Sequence, residues 1–176
     1  MISSLIQLYF YFVHYYMKVF IEISKGSNVK YEFNKEENVL ELDRILHSAV
    51  YYPQNYGFLP NTLCDDGDEL DVLVFTEPLL PGTQVECRAI GYLEMYDEKG
   101  RDEKLICIAT KDPRYREIDD ISDLPKHFID EIIEFFKTYK NLEENKWVRV
   151  ENIHGAKECK KLITHCKSNY SNKDLR

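Results

Sequence analysis

Val85-Glu86-Cys87-Arg88-Ala89-Ile90-Gly91-Tyr92-Leu93-Glu94-Met95-Tyr96, then Asp97-Glu98-Lys99-Gly100, then Lys104-Leu105-Ile106-Cys107-Ile108-Ala109-Thr110, is the stretch on which the fold turns. Two runs rich in Val, Ile and Tyr flank a short charged turn, the signature of strands joined by turn residues. Working outward, further strand-like runs stand at VFIEI, VKYEF, VLELDRIL and DVLVF, separated by SKGSN, DDGDE and EPLLPG. Six short strands with such turns predict a small antiparallel barrel or sandwich. From Asp123 the period changes. Pro125 suits a first helical turn, and Phe128, Ile129, Ile132, Ile133 and Phe136 fall at helical spacing. A strand at 146–150 and a second helix at about 156–166, burying Cys159, Leu162, Ile163 and Cys166, complete the pattern.

The chain has 176 residues, 44% hydrophobic and 31% charged, which predicts one compact domain and excludes a disordered chain. Its net charge of −8 argues against a surface that grips nucleic acid or anionic lipid. Five cysteines, without paired Cys-x-x-Cys spacing, suggest reduced thiols, a cytoplasmic setting and no zinc site. Residues 1–16 lack the basic and small-residue flanks of a targeting signal and are interrupted by Gln7 and His14. They read as an N-terminal extension or as sequence preceding a true start at Met17. The main domain is placed at 17–170, with a tail at 171–176.

Cys64-Asp65-Asp66-Gly67-Asp68-Glu69-Leu70-Asp71 packs five acids into seven residues just before a strand. Such crowding is unfavourable without a counter-ion. An EF-hand is excluded, because counting from Asp66 puts Asp71 where its sixth-position Gly belongs. Alone, the run is compatible with a solvated turn. A second acidic turn, Tyr96 to Lys104, would fold back toward it in an antiparallel sheet. Asp66, Asp68, Asp71, Asp97 and Asp102 then offer an oxygen-only site suited to Mg²⁺, with Mn²⁺ as a substitute. Lys30, Arg44, Lys104, Tyr52, Tyr56 and Tyr139-Lys140 add cations and hydroxyls. Arg44 is expected to face the barrel and to need an anionic partner, and its guanidinium fork suits phosphate oxygens.

Together these segments resemble the soluble family I inorganic pyrophosphatases of the short bacterial type. The resemblance rests on Asp66-Gly67-Asp68-Glu69-Leu70-Asp71-Val72, with IEI around Glu22, KYE with Lys30 and Glu32, Asp43-Arg44, YPQNYGF, Asp97…Asp102-x-Lys104, FFKTYKNLE and KWVRV in order around it. It implies a five-stranded OB-like antiparallel barrel with two flanking helices, hydrolysing inorganic pyrophosphate to two orthophosphates. Asp66, Asp71, Asp97 and Asp102 would bind the metal ions, and Asp68 would be the general base. Lys30, Arg44, Tyr56, Lys104, Tyr139 and Lys140 would hold the phosphates, with Glu22, Glu32 and Tyr52 in support. Attack would be direct and in line, without a covalent intermediate. A homohexamer is also implied, although the family's helix histidines are Glu134 and Thr138 here. A nucleic-acid-binding barrel lacks the basic groove it would need, and no P-loop supports a nucleotide substrate.

Overall fold

The computed structural model describes residues 16–173, so the expectations about residues 1–15 and 174–176 lie outside it. Among the described residues nine strands and two α-helices follow in order: β1 (Tyr16–Ile23), β2 (Val29–Asn34), β3 (Val39–Ile45), β4 (Asn55–Leu59), β5 (Leu70–Phe75), β6 (Gln84–Asp97), β7 (Gly100–Arg101), β8 (Lys104–Ala109), α1 (Lys126–Thr138), β9 (Val148–Gly155) and α2 (Ala156–Ser171). Strands β1, β4, β5, β8 and β6 are paired in that sequence, and β1 pairs with β6, so the ring closes. This is the five-stranded OB-like barrel that the family resemblance implies, and of the two architectures left open by the strand pattern it is the barrel. Closure removes sheet edges along the ring. All of its pairings are antiparallel except β5 with β8.

Val72 and Val74 pack into one core cluster, completed by Cys159, Leu162, Ile163 and Cys166 of α2. Leu73 and Phe75 pack into a second, completed by Ile132, Phe135 and Phe136 of α1. Successive side chains of a strand point to opposite faces, so burial on both faces requires the near-continuous apolar runs seen in DVLVF and KLICIA. Helix α1 starts directly after Pro125, whose fixed φ of −53° suits the entry.

Two features depart from the sequence reading. Strand β4, which carries Asn55-Tyr56-Gly57, is not among the strand-like runs singled out from the sequence, yet all five of its residues are buried. Asn55 is accommodated because its amide accepts from Lys25 N–H (3.1 Å) and Leu79 N–H (2.8 Å) and donates to Val74 O (3.3 Å) and Glu77 O (2.9 Å). At Gly57 a Cβ atom would stand 1.8 Å from the Phe20 carbonyl oxygen of β1. We therefore expect Gly57→Ala to destabilise the fold by about 3 kcal/mol, because backbone must move to admit the methyl. Thermal unfolding reads this directly, and a Tm within about 2 °C of wild type would contradict it.

The second departure concerns Arg44. Strand β3 is not part of the barrel; it pairs only with β2 in a separate two-stranded sheet. Arg44 therefore does not project from the barrel wall, as its sequence context suggests, but from a hairpin held beside it.

Candidate active site

The turn before β5 is tied by its own backbone. Cys64 N–H donates to Asp68 O (2.8 Å), and Gly67 N–H donates to Cys64 O (3.1 Å). Gly67 sits at φ +94°, a conformation that favours glycine. The Asp68 N–H donates to Asp66 Oδ1 at 3.1 Å, so Asp66 braces the turn that presents Asp68 outward. Beyond the turn, the parallel register of β5 and β8 sets Asp71 directly beside Lys104. Lys104 Nζ is bonded to both Asp71 and Asp102. The turn after β6 contributes Asp97, which accepts from Lys99 N–H (2.8 Å) and pairs with Lys140 Nζ (2.7 Å).

The hairpin supplies the opposite wall. Lys30 and Arg44 are cross-strand partners, two cations side by side, an arrangement that is unfavourable without an anion between them. Asp43 takes that place: its carboxylate lies 2.9 Å from Lys30 Nζ and is also bonded to Arg44. Arg44 Nε in addition donates to Glu143 Oε1 at 3.0 Å, across 99 residues of sequence. Glu22, at the end of β1, accepts the Phe33 N–H at 2.8 Å and so stitches the hairpin to the barrel.

These walls enclose a cavity of about 460 Å³ lined by ten carboxylates and seven cationic side chains. Of the residues singled out from sequence, Asp66, Asp68, Asp71, Asp97, Asp102, Lys30, Arg44, Tyr56, Lys104, Tyr139, Lys140, Glu22 and Glu32 all line it. Tyr52 does not. Its ring packs behind Tyr56, 5.1 Å between centroids, and against Phe135. Sequence reasoning missed Lys35, Asp43, Glu69, Glu98, Lys99 and Lys146 as lining residues. Only Lys35 lies outside the quoted motifs and turns; Asp43, Glu69, Glu98, Lys99 and Lys146 stand within them, but nothing local distinguished them from their neighbours.

The electrostatics show where a cation is wanted. Burial first, then the fields of Asp102 and Asp71, pushes Asp66 up to about 6. Against the burial that would deprotonate it, Lys104 is held protonated by Asp102 and Asp71. Glu98, which burial would raise, is drawn down to about 2 by Lys146 and Lys140. Burial raises Tyr56 and Tyr139, so both phenols keep their protons and can donate at neutral pH.

Glu22 is pushed up to about 8, chiefly by burial and further by Asp71. Its unfolded pKa is near 4.5, so the folded state holds the extra proton, and stability falls as pH rises from about 4.5 through 8. We expect Glu22→Gln, which keeps an oxygen for the Phe33 N–H, to flatten that fall and to stabilise the metal-free protein at pH 8.5 by on the order of a few kcal/mol. Tm measured against pH in chelator checks this; a fall as steep as in wild type would contradict it.

The donor set fits a hard divalent cation. Every candidate donor is a carboxylate oxygen, and the acid excess and raised Asp66 favour added positive charge. Among the described residues no three His, Cys, Asp or Glu side chains form a ready-made metal cage. Mg²⁺ suits such a site, because it keeps several waters and shares the oxygens of a bound phosphate.

A sequence model described as inorganic pyrophosphatase matches residues 19–171. An inorganic pyrophosphatase of Synechocystis is 48% identical over 158 residues, spanning 88% of this chain and 91% of its own. One of Nanoarchaeum equitans is 50% identical over 154 residues, spanning 86% of this chain and 95% of its own. The solved structure of the Helicobacter pylori inorganic pyrophosphatase superposes with a TM-score of 0.87 at 45% identity, covering 89% of this chain and 94% of that one.

Proposed function

The chain belongs to the inorganic pyrophosphatase family, and from that premise we propose that it hydrolyses inorganic pyrophosphate to two orthophosphates by direct, in-line attack of water. The observation that carries this reading is a single cavity in which the acid cluster of Asp66, Asp71, Asp97 and Asp102 abuts a wall of cations and protonated phenols. A pyrophosphate ion needs both halves: cations and hydroxyl donors for its oxygens, and screened charge at the point where water attacks.

Asp66, Asp71, Asp97 and Asp102 would hold Mg²⁺, or Mn²⁺ in its place. Divalent cations bound there supply charge neutralisation and a lowered pKa for water at the site. Asp68 accepts the proton of the attacking water. Its carboxylate is more than half exposed on the turn, and its one ion pair, to the Lys99 ammonium at 2.9 Å, is a surface one that costs little to give up. Lys30 and Arg44 exchange Asp43 for phosphate oxygens, which meet the same need for an anion between the two cations. Lys104, Lys140, Tyr56 and Tyr139 donate to the remaining oxygens, while Glu22 and Glu32 position the hairpin and its lysine. Tyr52 supports Tyr56 from behind.

Initial rates of phosphate release from pyrophosphate, ATP and a phosphate monoester, all with Mg²⁺, test the assignment. The expected kcat/KM for pyrophosphate exceeds the other two by orders of magnitude. Equal or faster hydrolysis of ATP would make the chain a general phosphoanhydride hydrolase instead. The chain is expected to work as a homo-oligomer in the cytoplasm, without nucleic acid or membrane as partner. Among the described residues, no helix is long and apolar enough to cross a membrane.

A further inference from the structure

The catalytic reading makes no use of the cysteines, yet two of them meet. Cys64 opens the acidic turn, and Cys166 lies on α2; their Sγ atoms are 2.7 Å apart although 102 residues separate them. Both thiols are buried and unbridged. The surrounding contacts hold them in register. Leu63 N–H donates to Cys166 O at 2.8 Å, and His165 Nε2 meets Asp65 Oδ1 at 2.9 Å. Backbone bonds from Cys64 to Asp68 and from Gly67 to Cys64 then carry that anchorage into the turn bearing Asp66 and Asp68.

We propose that Cys64 and Cys166 are an oxidation site that forms one intramolecular disulfide, fastening α2 to the acidic turn. Covalent bonding needs the sulfurs to close from 2.7 Å to about 2.05 Å, a small movement between elements already hydrogen-bonded to each other. The oxidant is a small-molecule disulfide such as oxidised glutathione. One cysteine, as thiolate, attacks a glutathione sulfur and releases one reduced glutathione; the second cysteine displaces the other. Two cysteine protons and two electrons leave the protein, and one disulfide becomes two thiols. The bond closes a loop of about 100 residues, which restricts the unfolded chain strongly.

The full-length protein, first fully reduced, is incubated with oxidised glutathione at pH 8.5 for a day, desalted, and alkylated under denaturing conditions. We expect the unalkylated mass to fall by about 2 Da and only three of the five thiols to alkylate. Proteolysis should yield the Cys64–Cys166 peptide pair, and Tm should rise by about 10 °C over the reduced form. Pyrophosphate turnover, read alongside, stays within about twofold, because the cross-link joins groups already in contact. Cys64→Ser and Cys166→Ser should each abolish the mass loss, whereas Cys87→Ser should not. Five alkylatable thiols, a retained glutathione adduct without a cross-link, a different cysteine pair, or a Tm unchanged on oxidation would each overturn the proposal.

Discussion

Asp68→Asn is expected to lower kcat by about 10²–10⁴, the range usual for losing a general base, with folding and metal binding nearly unchanged. The side chain is 61% exposed and its ion pair with Lys99 is a surface one, worth little to stability. The turn itself survives, because the bonds that shape it use the backbone of Asp68, its carbonyl to Cys64 and its N–H to Asp66. Asparagine keeps the shape and loses the ability to take a proton. Steady-state phosphate release with saturating Mg²⁺, set beside calorimetric Mg²⁺ titration, separates the two effects. An unchanged kcat would remove Asp68 from the mechanism; a lost Mg²⁺ affinity would move it among the metal ligands.

Lys104→Met should produce the second large effect, and for a different physical reason. Lys104 is 2% exposed and its ammonium serves two carboxylates, Asp71 and Asp102, the latter only 7% exposed. Methionine fills similar volume but leaves both acids without their buried cation, a change that typically costs about 3–5 kcal/mol. In chelator the Tm should fall by roughly 10 °C. Millimolar Mg²⁺ should restore much of that loss, since a divalent cation answers the same carboxylates. Activity should stay low even so, because the donor proposed for the substrate is gone. A Tm in chelator equal to that of wild type would show that the pairing contributes nothing to the fold.

Much of this site was legible because its chemistry is local in sequence. Asp66, Asp68 and Asp71 fall within six residues, and Asp97, Asp102 and Lys104 within eight, so two turns carry most of the acid cluster. The strands β5 and β8 were equally plain, since burial on both faces demands unbroken apolar runs. What was hidden depends on distant parts of the chain. Strand β4 hides behind Asn55 and Gly57, whose fitness for a strand comes from Lys25, Leu79, Glu77 and the close passage of β1. Arg44 looked like a barrel residue because alternation reveals a strand but not its partner, and the partner is the β2 hairpin. Its link to Glu143 spans 99 residues and leaves no local pattern. The parallel β5–β8 pairing, which sets Asp71 against Lys104, is likewise a product of connectivity rather than of either strand's composition.

The central claim is that the carboxylate cluster works only with divalent cations and the chain then cleaves pyrophosphate. The most direct test is the initial rate of phosphate release from pyrophosphate as Mg²⁺ is titrated from excess chelator to saturation. The account predicts no turnover above the spontaneous rate in chelator, and a rise to full activity with Mg²⁺ that needs more metal below pH 6, where Asp66 retains its proton. Hydrolysis that continues undiminished in chelator, or none at saturating Mg²⁺ from folded protein, would contradict it.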